Sequence, residues 1–189
     1  MKVMREIKVS TDHFEVGDRI KVKLPGAKYT ATAISDEGDG MLFILDQYLD
    51  EAMPMNRKGG TDGGYDESDM REYLQKVAEK FPDKLKKRMV RFDNGDFLRL
   101  LTLQEMCGKD EDFNDCDGQI PWMKQDRRHR IASRKGEEYE WGWLATVVSG
   151  ADFALVVGDG NADCTNASNS LGVRPVFKLR HSIEKEMSK

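Results

Sequence analysis

Met70, Tyr73, Leu74, Val77 and Phe81 recur at the three- and four-residue spacing of a single helix face. One amphipathic helix cannot bury its stripe alone, so the rest of the chain must supply a surface for it. Asp66 or Ser68 is placed to cap this helix and Pro82 to end it. What precedes it reads as strands. Arg19 to Leu24 alternates basic and apolar residues, Tyr29 to Ile34 alternates again after the Pro25-Gly26 turn, and Met41 to Leu45 is an apolar run after DEGDG. These predict an antiparallel meander on which the helix packs, and so an α+β chain.

Between meander and helix, residues 53–65 hold four glycines and no periodicity, a long loop expected to be mobile. After Pro82 a second helix is expected to about Arg91, with Leu85, Met89 and Val90 inward and Lys84, Lys86, Lys87 and Arg88 as a solvated basic face. Phe97 to Leu101 reads as a strand, and Thr102-Leu103-Gln104-Glu105 has capping-box spacing for a short helix ending near Gly108.

The 189 residues are enough for one sizeable core that buries roughly 70% of the unfolded surface. Hydrophobic content of 39%, charged content of 34% and a mean hydropathy of -0.66 exclude a disordered chain and a membrane-spanning one. A net charge of -4 gives no general attraction to nucleic acid or anionic lipid. The basic run Asp126 to Arg130 has no interleaved aromatic residue for base stacking. No signal peptide or spanning segment is evident, so a cytoplasmic product is expected, reaching a phage particle or cell surface only through partners. Cys107, Cys116 and Cys164 form neither a disulfide framework nor a zinc pattern and read as reduced thiols.

Oxygen ligands are dense at Asp110, Asp112, Asn114, Asp115 and Asp117, which raises calcium, but the spacing fits no calcium loop and a hydrated turn is expected. Asp159, Asn161 and Asp163 begin a similar pattern that fails at Cys164 and Ser170. His13, His129 and His181 lie beside no nucleophile, and no catalytic motif is present, so no catalytic residue is assigned. Asn166 in Asn-Ala-Ser matters as a glycosylation acceptor only in a secreted eukaryotic protein.

The last quarter is compositionally distinct. Lys, Glu, Gln, Met and Trp make up 49 of the 189 residues, yet none lies between Leu144 and Phe177. At the chain-wide frequency a window of that length would hold about nine. Tight turns and buried strands shed long side chains by themselves, and a surface free to vary would do so as well. Here Trp141-Gly142-Trp143-Leu144 reads as a strand with both indoles on one face, Phe153 to Val157 as a buried strand, Asp159-Gly160 as a hairpin turn, and Leu171 to Leu179 as a closing strand.

That order, with Gly172-Val173-Arg174-Pro175-Val176-Phe177-Lys178-Leu179 as its most specific element, resembles a bacterial and phage domain family of unassigned function. The family is similar in fold to C-type lectins and to formylglycine-generating sulfatase-modifying domains. The likeness covers roughly residues 13 to 180, and it departs where many members carry Arg-Ser-Pro and this chain has Ala145-Thr146-Val147. It implies one lectin-like domain over 1–189, with 1–12 as an extension, 181–189 as a polar tail, and a loop-rich C-terminal half.

Some relatives with this fold are variable proteins of diversity-generating retroelements. Adenine-directed mutagenesis of their AAY codons gives every residue type except Lys, Glu, Gln, Met and Trp, the five absent here. The resemblance therefore implies a recognition protein for a protein or glycan ligand, with a homo-oligomer compatible and no cofactor required. Outward strand positions Thr146, Val148, Asp152, Leu155 and Val157 are nominated as ligand-binding. With them go the turn residues Asp159, Asn161, Asp163, Cys164, Thr165, Asn166, Asn169 and Ser170. Trp141, Trp143, Gly172, Arg174 and Pro175 are assigned to scaffold, the indoles in the core and Arg174 pairing with a carboxylate. Two other classes are an enzyme resembling the formylglycine-generating domains, with Cys164 or Cys116 as its thiol, and a phage structural or tail component.

Overall fold

The computed structural model describes residues 13–134 and 139–181. The expected extension at 1–12 and all of the polar tail except His181 lie outside them. Strand β1 (Arg19–Leu24) turns at Pro25-Gly26 into β2 (Ala27–Asp36), with Gly26 at φ +83°, and β2 pairs in turn with β3 (Met41–Leu45). The predicted meander is there. Every residue of β3 is buried because both of its faces are covered. Met41, Phe43 and Leu45 enter the main core, while Leu42 and Ile44 enter a second one.

Helix α1 (Asp69–Glu79) closes the main core. The Ser68 hydroxyl accepts from Arg71 N at 3.1 Å, so Ser68 is the cap, and Met70, Leu74 and Val77 are buried. Phe81, just past its end, meets Phe177 edge-on at 5.3 Å. The helix expected to Arg91 is cut to one turn, α2 (Asp83–Lys86), because the chain extends again as β4 (Met89–Val90) to pair with the closing strand.

Phe97 to Leu101 forms no strand. Arg99 makes one bridge with Val176, after which Leu101 O accepts from Ala145 N at 2.9 Å. The segment hands its backbone bonds from one sheet to the other within two residues, too short a stay in either ladder. Its exit is capped as predicted. In α3 (Leu103–Cys107) the Thr102 side chain and Glu105 bond each other's backbone, and Gly108 ends the helix in the left-handed region at φ +68°. With α4 (Pro121–Gln125) it supplies Leu103, Met106 and Met123 to the second core.

The C-terminal part adds β5 (Gly142–Val147), β6 (Asp152–Val156) and β7 (Ala162–Asn166), an antiparallel three-stranded sheet in that order. The closing strand β8 (Val176–Leu179) then returns to the first sheet, whose order is β1-β2-β3-β8-β4. It is shorter than the expected 171–179 because Leu171 and Gly172 bridge instead to Met53 and Gly142. The result is an α+β protein of mainly antiparallel strands with few, mostly short helices. Among the described residues no helix is long and apolar enough to cross a membrane.

Candidate functional site: the strand-and-turn face of the second sheet

β6 is the axis of the nominated region. Phe153 and Leu155 point into the main core, and Ala154 and Val156 into the second, all within 2% of full burial. The assignment of Leu155 as an outward ligand-binding residue is therefore corrected, since a strand covered on both sides has no outward face. Val148 packs against the second core and Val157 against the main one, and each is half-buried, with part of its side chain left at the surface. The run Phe153-Ala154-Leu155-Val156, apolar without interruption, already carried that signal.

Among the described residues β7 pairs with β6 alone and forms the edge, a strand whose residues sequence reasoning took for turns. Asp163 and Asn166 are exposed, as are Asp159, Asn161, Asn169 and Ser170 in the turns at either end, while Cys164 and Thr165 are half-buried. These side chains fall into two groups. Asp159 and Asn161 sit in the β6–β7 hairpin, and Asp152, Thr165, Asn166, Asn169 and Ser170 gather at the other end, about 13 Å away along β7.

Most of them also build the turns they occupy. Asp159 accepts from Asn161 N and Nδ2 at 2.9 and 2.8 Å, Asn166 Oδ1 accepts from Ser168 N and Oγ, and Asn169 Nδ2 donates to Thr165 Oγ1 at 2.7 Å. Ser149 Oγ donates to Asp152 at 2.8 Å, and Thr146 Oγ1 accepts from Leu103 N at 2.9 Å. Turn chemistry thus accounts for part of the short, polar composition.

The scaffold beneath is tied from several directions. The Trp143 indole donates to Met53 O at 2.7 Å. Asn56 N donates to Ala167 O and Thr61 Oγ1 to Ser149 O, so the 53–65 loop, expected to be mobile, is anchored across the Asn166 end of the sheet with Met55 fully buried. Gly172 and Gly142 lie side by side against the Tyr48 ring. Arg174 is buried, but the carboxylate expected for it is replaced by three carbonyls, Leu45 O at 2.6 Å, His129 O at 2.9 Å and Arg130 O at 3.2 Å. Burial pulls its pKa below the usual arginine value. Trp141 is the other scaffold correction. It precedes β5, is 50% exposed, and with Tyr139 adds two surface aromatics beside the hairpin that the sequence reading did not nominate.

The thiols are unfavourable nucleophiles. Burial pushes Cys107 up to about 11. Desolvation and then the carboxylates of Asp152 and Asp163 raise Cys164; desolvation and the acidic loop from Asp110 to Asp117 raise Cys116. In that loop Lys109 Nζ lies 2.9 Å from Asp115, and Asp110 Oδ1 accepts from the backbone of Asp112 and Asn114. Among the described residues no group of three His, Cys, Asp or Glu side chains could hold a metal ion. His13 stacks on His181 at 4.5 Å, and His129 stacks on Trp122 at 4.2 Å with Nδ1 2.7 Å from Trp122 O; the segment carrying His129 abuts the hairpin, where Arg130 donates to Gly160 O at 3.4 Å.

The fold and this face define a mainly antiparallel α+β protein with a double-covered central strand and an exposed, turn-flanked edge. Residues 39–181, from the turn before β3 to the end of the described chain, match the domain of unknown function DUF6273, and the chain belongs to that family. No curated protein and no solved structure matches it.

Proposed function

We propose that this chain is a ligand-recognition protein of C-type-lectin-like fold that binds a protein or glycan through β7 and its flanking turns, as variable proteins of diversity-generating retroelements do. The observation that carries the reading is the contrast between β6, buried on both faces, and β7, which displays exposed side chains beside it at the sheet edge. A strand locked into two cores holds its backbone while its edge neighbour's solvent-facing side chains change, since exposed replacements usually cost less than ~0.5 kcal/mol. The absence of Lys, Glu, Gln, Met and Trp from 144–177 supports the same reading. The surface of choice is Asp159, Asn161, Asp163, Asn169 and Ser170, with Trp141 and Tyr139 as aromatic anchors at the hairpin end.

The test lies in the flanking DNA and in a display library. A near-copy of the codons for about 145–177 that differs only at adenines, beside a reverse transcriptase, is expected. A library randomised at the five exposed positions is expected to stay folded and to yield binders to protein or glycan baits. A locus with no such copy, together with a library that collapses into aggregates, overturns the proposal.

A further inference from the structure

Two basic stretches separated by about sixty residues of sequence converge in space. β1 supplies Lys21 and Lys23, the turn of α2 supplies Lys84, and Arg88 follows it. Together they flank a groove of about 340 Å³. Its floor is apolar, formed by Ile20, Leu85 and Leu179. Among the described residues no carboxylate lines it and none of the three lysines forms an ion pair. Arg88 lies over the Phe14 ring at 4.6 Å and donates to the carbonyls of Arg180 and His181, so it holds its place without losing its charge. Four cations around an apolar slot, on a chain whose net charge is -4, make a local field opposite in sign to the whole.

We propose that this groove between β1 and α2 docks an acidic peptide segment of a partner protein, its apolar side chains on Ile20 and Leu85 and its carboxylates against Lys21, Lys23 and Lys84. Charge complementarity sets the sign of the partner. Concavity favours a chain over a bilayer, because the cations stand on two walls and a flat lipid surface reaches only the rim. The number of cations favours several carboxylates over the single one of a fatty acid. β1 is also the outer strand of its sheet, so every second residue turns its backbone N–H and C=O away from β2, and among the described residues no strand takes them up. An extended peptide can use those groups as an added strand. The groove shares no residue with the strand-and-turn face proposed above, so the two surfaces are independent.

The probe is a fluorescein-labelled peptide alternating Glu with Val, Ile and Phe, titrated with the full chain and followed by anisotropy. Saturable binding is expected, weakened about tenfold or more by Lys21→Glu with Lys84→Glu, and less by the Lys→Gln pair. Raising salt from about 0.05 to about 0.5 M should weaken it as well. Both lysines are exposed, so the variants keep the wild-type melting curve, which is measured alongside. Failure of the peptide to bind, equal binding of a block peptide with all its Glu residues at one end, unchanged affinity in the charge-reversed variant, or capture by phosphatidylserine vesicles in place of the peptide would each overturn the proposal.

Discussion

A Cβ on Gly172 would stand 2.6 Å from Cγ and Cδ2 of the Tyr48 ring, so the close approach of these two residues admits only glycine. Gly142, bridged to Gly172, would likewise put a Cβ 2.3 Å from the Tyr48 hydroxyl. The pair forms a flat backbone seat where the second sheet meets the segment leading into β8. Gly172→Ala is expected to cost about 3 kcal/mol, at the upper end for overpacking. Gly142→Ala should cost less in a Tyr48→Ala background, where the clashing ring atoms are gone. Urea unfolding of the four chains checks this, and strictly additive losses would show that the ring is not the cause.

Arg174 should be the most sensitive position of the Gly-Val-Arg-Pro segment. Arg174→Met removes three charge-assisted bonds and takes the guanidinium donor from the Leu45 carbonyl in a buried setting and from the His129 and Arg130 carbonyls in a half-buried one. A loss of about 3–5 kcal/mol is expected, comparable to breaking a buried ionic contact. Arg174→Lys should recover little, because an ammonium cannot fork to carbonyls on two different segments. Equilibrium denaturation measures both.

What the sequence disclosed follows from which patterns are local. The Ser68 cap, the Thr102-Glu105 capping box, the Gly26 turn and the buried run of β3 all depend on residues within a few positions of one another. Trp141 and Leu155 were misplaced because alternation fixes a face only where a strand is covered on one side and only within the strand. β6 is covered on both sides, and Trp141 lies one residue before β5 begins. β7 was hidden by its turn-forming composition. The cationic groove could not be read from the sequence, since Lys21 and Lys84 meet only through packing.

Acid should unfold the protein partly through Glu105. Burial raises its pKa, but the paired bonds from Arg99 at 2.6 and 2.7 Å and those from Thr102 outweigh this and hold it below the ordinary glutamate value. A depressed folded-state pKa stabilises the fold above the unfolded value of about 4.3, and that contribution is lost as pH falls through the folded pKa. Glu105→Gln should therefore lower Tm at pH 7 while flattening its decline below about pH 4.5. Parallel Tm curves for the two chains from pH 7 to 3 would contradict this.

The thiols should alkylate slowly at neutral pH and in a definite order. Cys107, buried and pushed up to about 11, should resist iodoacetamide in the folded state. Cys116 and Cys164, half-buried beside carboxylates, should react first but more slowly than a free thiol. Mass spectrometry of peptides after timed labelling gives the rates. Rapid labelling of Cys116 or Cys164 at pH 7 would revive the thiol-enzyme reading.

The contrast between β6 and β7 makes the sharpest demand on substitution. Leu155→Ala empties a site within the main core and is expected to cost about 2–5 kcal/mol. Asp163, its cross-strand neighbour on β7, is exposed, so Asp163→Ser or Asp163→Tyr should shift stability by less than ~0.5 kcal/mol, and Ser170 should behave in the same way. Asp159→Ala and Asn166→Ala fall between, each losing local bonds that hold a turn. Urea midpoints for this series rank the positions by how freely they can be exchanged. A cost at Asp163 approaching that at Leu155 would mean that β7 is part of the frame, and the display of variable side chains on it would have no mechanical basis.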